Sequence, residues 1–139
     1  MILYLDTSSL VKLYFAEQGT EEVKELVAKA EAVVTSVVAW IEARSAFAKK
    51  RRERDLGDLE YKRAVRALRL DWPGYLRIHL SEKVSEQAGS LVERYPLRTL
   101  DAIHLASYLM VESQLRKKVT FSSFDDRLNQ IVEKLKPVR

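Results

Sequence analysis

The chain has 139 residues, a formal net charge of +4, a hydrophobic fraction of 47% and no cysteine. This length suits one domain, residues 1–139, with a core of its own, and the apolar content excludes a disordered chain. Without cysteine there are no disulfides, thiolate zinc sites or cysteine nucleophiles, so a metal would need oxygen donors or one of two histidines. Such donors suit magnesium or manganese, and a pI near 9.3 leans toward an anionic partner. No charged-then-apolar leader precedes the first apolar run, and no run is long enough to cross a bilayer, so a cytoplasmic protein with no membrane partner is expected.

Short apolar runs alternate with longer amphipathic stretches, the pattern of βα units around a parallel sheet. Ile2–Leu5 is the first strand, followed by a short helix through about Phe15. Gly19 and Thr20 turn the chain into a Glu- and Lys-rich helix over about residues 20–30. Ala32–Thr35 is a second strand, with Ser36 placed to cap a helix from about Val37 to Arg54. Gly57 and Asp58 break that helix and start another to about Leu70, which ends at the turn "DWPGY". Tyr75–Leu80 is a third strand, and Ser81 caps a helix to about Arg94. Pro96 separates it from a helix over about residues 99–114. "KKVTFSS" is a fourth strand and the last helix begins near Asp125. The expected fold is a three-layer α/β/α sandwich with a short parallel sheet.

Ligands of open parallel sheets bind outside the carboxyl ends of the strands, which draws attention to acids in those places. Asp6 ends the first strand, Glu42 lies in the second turn after strand two, Asp101 opens the helix after "YPLRT", and Asp125 and Asp126 follow strand four. Each has a structural alternative. Asp6, Asp125 and Asp126 are placed to cap helices, and Asp101 would favour the positive end of its helix, with Thr99 as cap. Glu42 is harder to read as a solvated side chain, because Val38, Ala39, Ser45 and Ala46 surround it at helical spacing. Together, acids from several βα units converging on one crevice would repel unless a cation neutralised them. Such a cluster fits metal-assisted phosphodiester or phosphate-ester chemistry. No side-chain general base is obvious, and this chemistry needs none.

"LYLDTSSLVK", "SVVAWIEARSAF", "LRTLDAIHLASYL" and "VTFSSFDDRL" resemble, in order and spacing, the successive motifs of PIN-domain ribonucleases, and most closely the VapC-type toxins of type II toxin–antitoxin systems. The resemblance covers almost the whole chain. It implies a cytoplasmic, homodimeric, Mg2+- or Mn2+-dependent endoribonuclease acting on RNA and bound by a small antitoxin. By position, Asp6, Glu42, Asp101 and Asp125 match the family's four acids. Asp6 and Asp101 are implied as the main metal ligands, with Glu42 and Asp125 at a second metal or acting through water. Thr7 and Ser8 resemble the hydroxyl residues that brace the first acid, and Ser123 the one that positions water or phosphate. A one-residue slip would put Asp126 in place of Asp125.

His104, three residues after Asp101, reads as a packed helix histidine that could also face the site, and His79 as packed in its strand. The basic run "KKRRER" at 49–54 and Arg63, Arg66 and Arg69 read as solvated helix faces, or as contacts to RNA or an acidic partner. Arg98, beside Asp101, is a closer candidate for a substrate phosphate. Leu10, Leu13, Tyr14 and Phe15 are candidates for a partner surface but equally for core, and Trp40 and Trp72 read as packing. The alternatives are a PIN nuclease of RNA processing without a toxin role, and a non-catalytic RNA- or partner-binding domain. An aspartyl phosphatase would want a second Asp two residues after Asp6, where this chain has Ser8.

Overall fold

The computed structural model describes residues 1–136. Four strands form one sheet: β1 (Ile2–Leu5), β2 (Ala32–Ser36), β3 (Leu76–Ile78) and β4 (Val119–Ser122). Their order is β3-β2-β1-β4, and all pairings are parallel, with Ile2 opposite both Ala32 and Val119. β1 is central and wholly buried. Its period of two separates the core into two halves: Ile2 and Tyr4 point into one, Leu3 and Leu5 into the other.

The Leu3 face packs against α1 (Thr7–Leu10, continued by a tighter turn at Val11–Leu13), α2 (Thr20–Lys29), α3 (Ala39–Arg52) and α4 (Asp58–Asp71). Leu10, Val23, Phe47 and Leu68 are fully buried there. The Tyr4 face packs against α5 (Glu82–Arg94), α6 (Thr99–Leu115) and α7 (Asp126–Leu135). α6 is the central helix of that layer and is buried continuously from Ala102 to Tyr108. The result is the expected α/β/α sandwich.

The chain builds outward from β1 to β2 and β3, then returns to place β4 on the other side of β1. The strand order therefore reverses between β1 and β4, and their carboxyl ends form the crevice where such sheets take ligands.

Local differences from the sequence reading have simple causes. β3 is shorter than Tyr75–Leu80 because it is an edge strand that pairs only with β2, through Leu76, Arg77 and Ile78. His79 therefore lies past the strand and is exposed rather than packed. α3 starts at Ala39, and Ser36 instead closes the preceding turn by accepting the Val38 N–H at 3.2 Å. Arg98, not Thr99, stands at the N-cap of α6, without a side-chain cap bond. Ser81 caps α5 as expected, accepting the Val84 N–H at 3.2 Å.

Candidate active site

Asp6 leaves β1 at the reversal point and is only 5% exposed. It caps α1 as expected and also lines the cleft. As N-cap of α1 its Oδ1 accepts the Ser9 N–H at 3.1 Å, and the same oxygen accepts the Ser8 hydroxyl at 2.6 Å. Its Oδ2 accepts the Ser123 hydroxyl at 2.6 Å. Ser8, in α1 after β1, and Ser123, just past β4, thus brace the two oxygens from opposite sides. The stitching continues with Ser9 Oγ 2.9 Å from Ser122 Oγ, and with the Phe124 N–H donating to Ser8 Oγ at 2.9 Å. Asn129 fixes the same loop by donating to the Ser123 carbonyl at 2.9 Å. Gly19, at φ +94°, leaves room for the Phe124 ring, which a Cβ there would strike at 2.6 Å.

Asp125 is the N-cap of α7, its Oδ1 accepting the Arg127 and Leu128 N–H groups at 3.0 and 3.2 Å. It also lines the cleft with Asp6, Glu42 and Asp101, whereas Asp126 is an exposed residue of α7 outside the cleft lining. The cleft encloses about 580 Å³, with Val38 just before α3, Ile41 of α3 and Leu100 of α6 as apolar walls. Ile41 is 71% exposed and Leu100 42%.

Glu42 is held by a network that joins four elements, β1, α1, α3 and α6. The Thr7 hydroxyl donates to Glu42 Oε1 at 2.7 Å, and His104 Nε2 lies 2.7 Å from the same oxygen and 3.1 Å from Thr7 Oγ1. On its other side, His104 Nδ1 lies 2.8 Å from the Tyr4 hydroxyl. Burial pushes the Tyr4 phenol well above its ordinary pKa, so the phenol keeps its proton, and a neutral ring whose Nε2–H faces the acceptor-only Glu42 accepts that O–H at Nδ1. This is the arrangement by which neighbouring groups fix an imidazole tautomer. Thr7 thus contacts Glu42 rather than Asp6. His104 is both readings at once: 2% exposed, and facing the site.

Asp101 sits in the first turn of α6, half-buried. Burial pushes its carboxyl pKa up, the negative charges of Asp125 and Asp6 add to this, and Arg98 partly opposes it. Arg98 itself is exposed at the helix mouth and does not line the cleft.

The donor set is carboxylate and hydroxyl oxygen, and the strain on Asp101 is the kind a hard cation would relieve. Among the described residues, no three acidic or histidine side chains stand ready as a closed metal cage. Open acids around a wet cleft instead fit an ion that keeps waters and takes one or two carboxylates, as magnesium does.

Other candidates fall elsewhere. Leu10 is core, and Leu13, Tyr14 and Phe15 pack against it. Of the 49–54 run, Lys49 lines the cleft and Lys50 pairs with Glu17 at 3.4 Å, while residues 51–54 are exposed. Arg63, Arg66 and Arg69 are exposed on α4. Among the described residues no helix is long and apolar enough to cross a membrane. Sequence reasoning missed Tyr4 and Asn129. It also underread His104, whose spacing of three from Asp101 puts both on one face of α6.

The family model described as "PIN domain" matches residues 3–134. Ribonuclease VapC49 of Mycobacterium tuberculosis (strain ATCC 25618 / H37Rv) is 34% identical over 110 residues, covering 79% of this chain and 76% of that protein. Two solved structures share the fold. The M. tuberculosis VapC20 crystal structure, titled a sarcin-ricin loop cleaving toxin, has a TM-score of 0.66 at 21% identity, over 93% of this chain and 94% of that one. A toxin–antitoxin complex from Klebsiella pneumoniae has a TM-score of 0.59 at 20% identity, over 84% of this chain and 82% of that one.

Proposed function

Because the chain belongs to the PIN-domain family of VapC ribonucleases, we propose that it is a metal-dependent endoribonuclease and the toxin of a type II toxin–antitoxin pair. The observation that carries this is the gathering of Asp6, Glu42, Asp101 and Asp125, from different βα units, around one cleft at the β1/β4 reversal. The Klebsiella structural relative, solved as a toxin–antitoxin complex, supports a small antitoxin as partner.

Asp6 and Asp101 would hold Mg2+ or Mn2+, with Glu42 and Asp125 as further oxygen donors. When bound, the ion supplies water activation and neutralises the phosphate charge that develops during hydrolysis. The rest falls to the chain. Ser8 and Ser123 keep the Asp6 carboxylate from turning away. The Tyr4–His104–Thr7 network engages Glu42 Oε1 and so fixes how the carboxylate faces the cleft. Lys49 at the cleft and Arg98 beside it draw the RNA backbone toward the acids. Proton acceptance needs no dedicated side chain if solvent in this open cleft takes the proton.

The test is cleavage of total cellular RNA by purified, antitoxin-free protein with Mg2+ or Mn2+, alongside Asp6→Asn. Cleavage by wild type, its loss on chelation and its loss in the variant are expected. No cleavage with either metal, together with undiminished toxicity of Asp6→Asn in cells, would overturn the reading.

A further inference from the structure

Both tryptophans of the chain lie in one surface patch away from the acids. The Trp40 and Trp72 rings are 5.3 Å apart, centroid to centroid. Three guanidinium groups lie against them: Arg44 at 5.4 Å and Arg69 at 5.2 Å from the Trp40 ring, and Arg77 at 5.8 Å from Trp72. They come from α3, α4 and the edge strand β3. The indoles are half-buried and pack on the core with one side, which accounts for their presence. Core packing does not account for three exposed arginines gathered over them.

None of the three is ion-paired among the described residues, whereas Lys12 and Lys50 both share Glu17. An arginine held within cation–π distance of an indole keeps its N–H donors available for a phosphate. Guanidinium planes and aromatic rings are also what unpaired bases stack on. The patch borders the cleft across α3. Trp40 and Arg44 lie on one side of that helix, Glu42 and Ser45 line the cleft on the other, and exposed Ile41 stands between. The distance to cross is one helix width, about 10 Å.

We propose that Arg44, Arg69 and Arg77, set around Trp40 and Trp72, form a second binding surface for a single-stranded stretch of the RNA substrate, flanking the segment held at the acids. The proposal rests on the reading that this chain acts on RNA. It adds that affinity and the choice of RNA depend on unpaired nucleotides beside the cut, not only on the cleft.

Because both tryptophans are in the patch, their emission reports on it directly. A labelled single-stranded oligoribonucleotide is titrated into Asp6→Asn protein with Mg2+, reading label anisotropy and tryptophan emission together. RNA binding should change the emission. Arg44→Ala/Arg77→Ala should bind roughly tenfold more weakly at moderate salt, and its log–log salt slope should be shallower by about 0.7 per lost contact. Arg44→Lys should recover only part of the loss, since it restores charge but not the flat fork. Binding seen by anisotropy with unchanged emission, and equal affinity in the arginine variants, overturns the patch while leaving an RNA enzyme intact. Emission that changes with protein concentration but not with RNA overturns it in favour of a protein interface. No binding and no cleavage by wild type removes the RNA reading itself.

Discussion

Asp6 and Asp101 line the same cleft and are held in opposite ways. Asp6 is nearly out of solvent, and two serine hydroxyls and a backbone N–H satisfy its two oxygens. Asp101 is half-buried, and its pKa is pushed up by that burial and by Asp125 and Asp6 across the cleft. One acid is anchored by hydrogen bonds supplied from the segments that follow β1 and β4. The other carries an electrostatic penalty that the protein alone leaves in place. A buried carboxylate is tolerated once its hydrogen bonds are met, but like charges facing each other are relieved only by protonation or by a cation. Under the proposed function the difference suggests separate duties: Asp6 as the fixed post, Asp101 as the acid whose charge a bound metal would stabilise.

The strongest way to break this comparison is Asp101→Asn. With its folded pKa raised above the ordinary 3.8, Asp101 binds its proton more tightly folded than unfolded. The stability this contributes is fully present below the ordinary value and is lost as pH rises through the folded pKa. In the absence of metal, the variant should therefore melt higher than wild type near neutral pH. The gap should close as the pH is lowered through that window. With Mg2+ the order should reverse, because the variant loses the metal-induced rise in melting temperature that wild type shows increasingly as Asp101 deprotonates. Metal catalysis supplies several kcal/mol of charge stabilisation, so RNA cleavage should fall on the order of 10²–10³-fold. Thermal melts across pH with and without Mg2+ check it. A variant that melts lower than wild type without metal, yet still responds to Mg2+, would show that Asp101 is a structural helix acid.

Glu42 stands between these extremes, since its bracing comes from far away in the chain. Tyr4→Phe removes only the O–H that donates to His104 Nδ1. Glu42 still holds the Nε2 hydrogen, but the ring loses the partner that pins its other side, so its orientation against Glu42 Oε1 is no longer fixed. Removal of an outer partner of this kind typically costs 10–100-fold in metal affinity or activity, so a loss of about that size in cleavage rate is expected. Leaving the buried nitrogen unpaired should cost roughly 1–3 kcal/mol of stability. Nitrogen chemical shifts of the imidazole separate the two effects: Nε2 should keep its proton in both proteins, while Nδ1 should lose its hydrogen-bond shift in Tyr4→Phe. An unchanged Nδ1 shift together with full activity would reduce the network to packing.

These three acids also differ in how far the sequence reveals them. Asp6 was legible because the apolar run Ile2–Leu5 leads straight into it, which puts it at the carboxyl end of the strand. Asp101 and Glu42 were legible as acids among apolar helical neighbours. The three-layer sandwich followed from alternating apolar runs, and its α5 cap at Ser81 from local chemistry alone. The partners of Glu42 were not legible, because Tyr4, Thr7 and His104 meet only through tertiary packing across 35 to 100 positions of sequence. His104 therefore resembled any buried helix histidine. The ends of β3 were misjudged for a related reason. Apolar composition says a segment suits a strand, but the neighbour's length decides how much of it pairs. The arginine–tryptophan patch was likewise hidden, since its residues come from three elements that touch only in the fold.

The smallest effect tests whether Asp6 is truly over-braced. Ser123→Ala removes the one side-chain donor to Oδ2 and the acceptor of the Asp125 N–H at 3.0 Å, while Ser8 and Ser9 still hold Oδ1. One neutral-partner hydrogen bond contributes about 1 kcal/mol, somewhat more when the acceptor is charged. The loss should therefore be about that in stability, and below roughly tenfold in cleavage rate. Ser8→Ala should cost a similar amount, because the Ser9 N–H remains on the same oxygen. Removing both hydroxyls should cost more than the sum, since the carboxylate then keeps only the Ser9 backbone donor and can turn about its side-chain torsions. Unfolding and cleavage measured around this double-mutant cycle check it. Strict additivity, or a Ser123→Ala loss as large as that of Asp101→Asn, would mean that Asp6 depends on each contact separately and that the two acids are held less differently than their surroundings indicate.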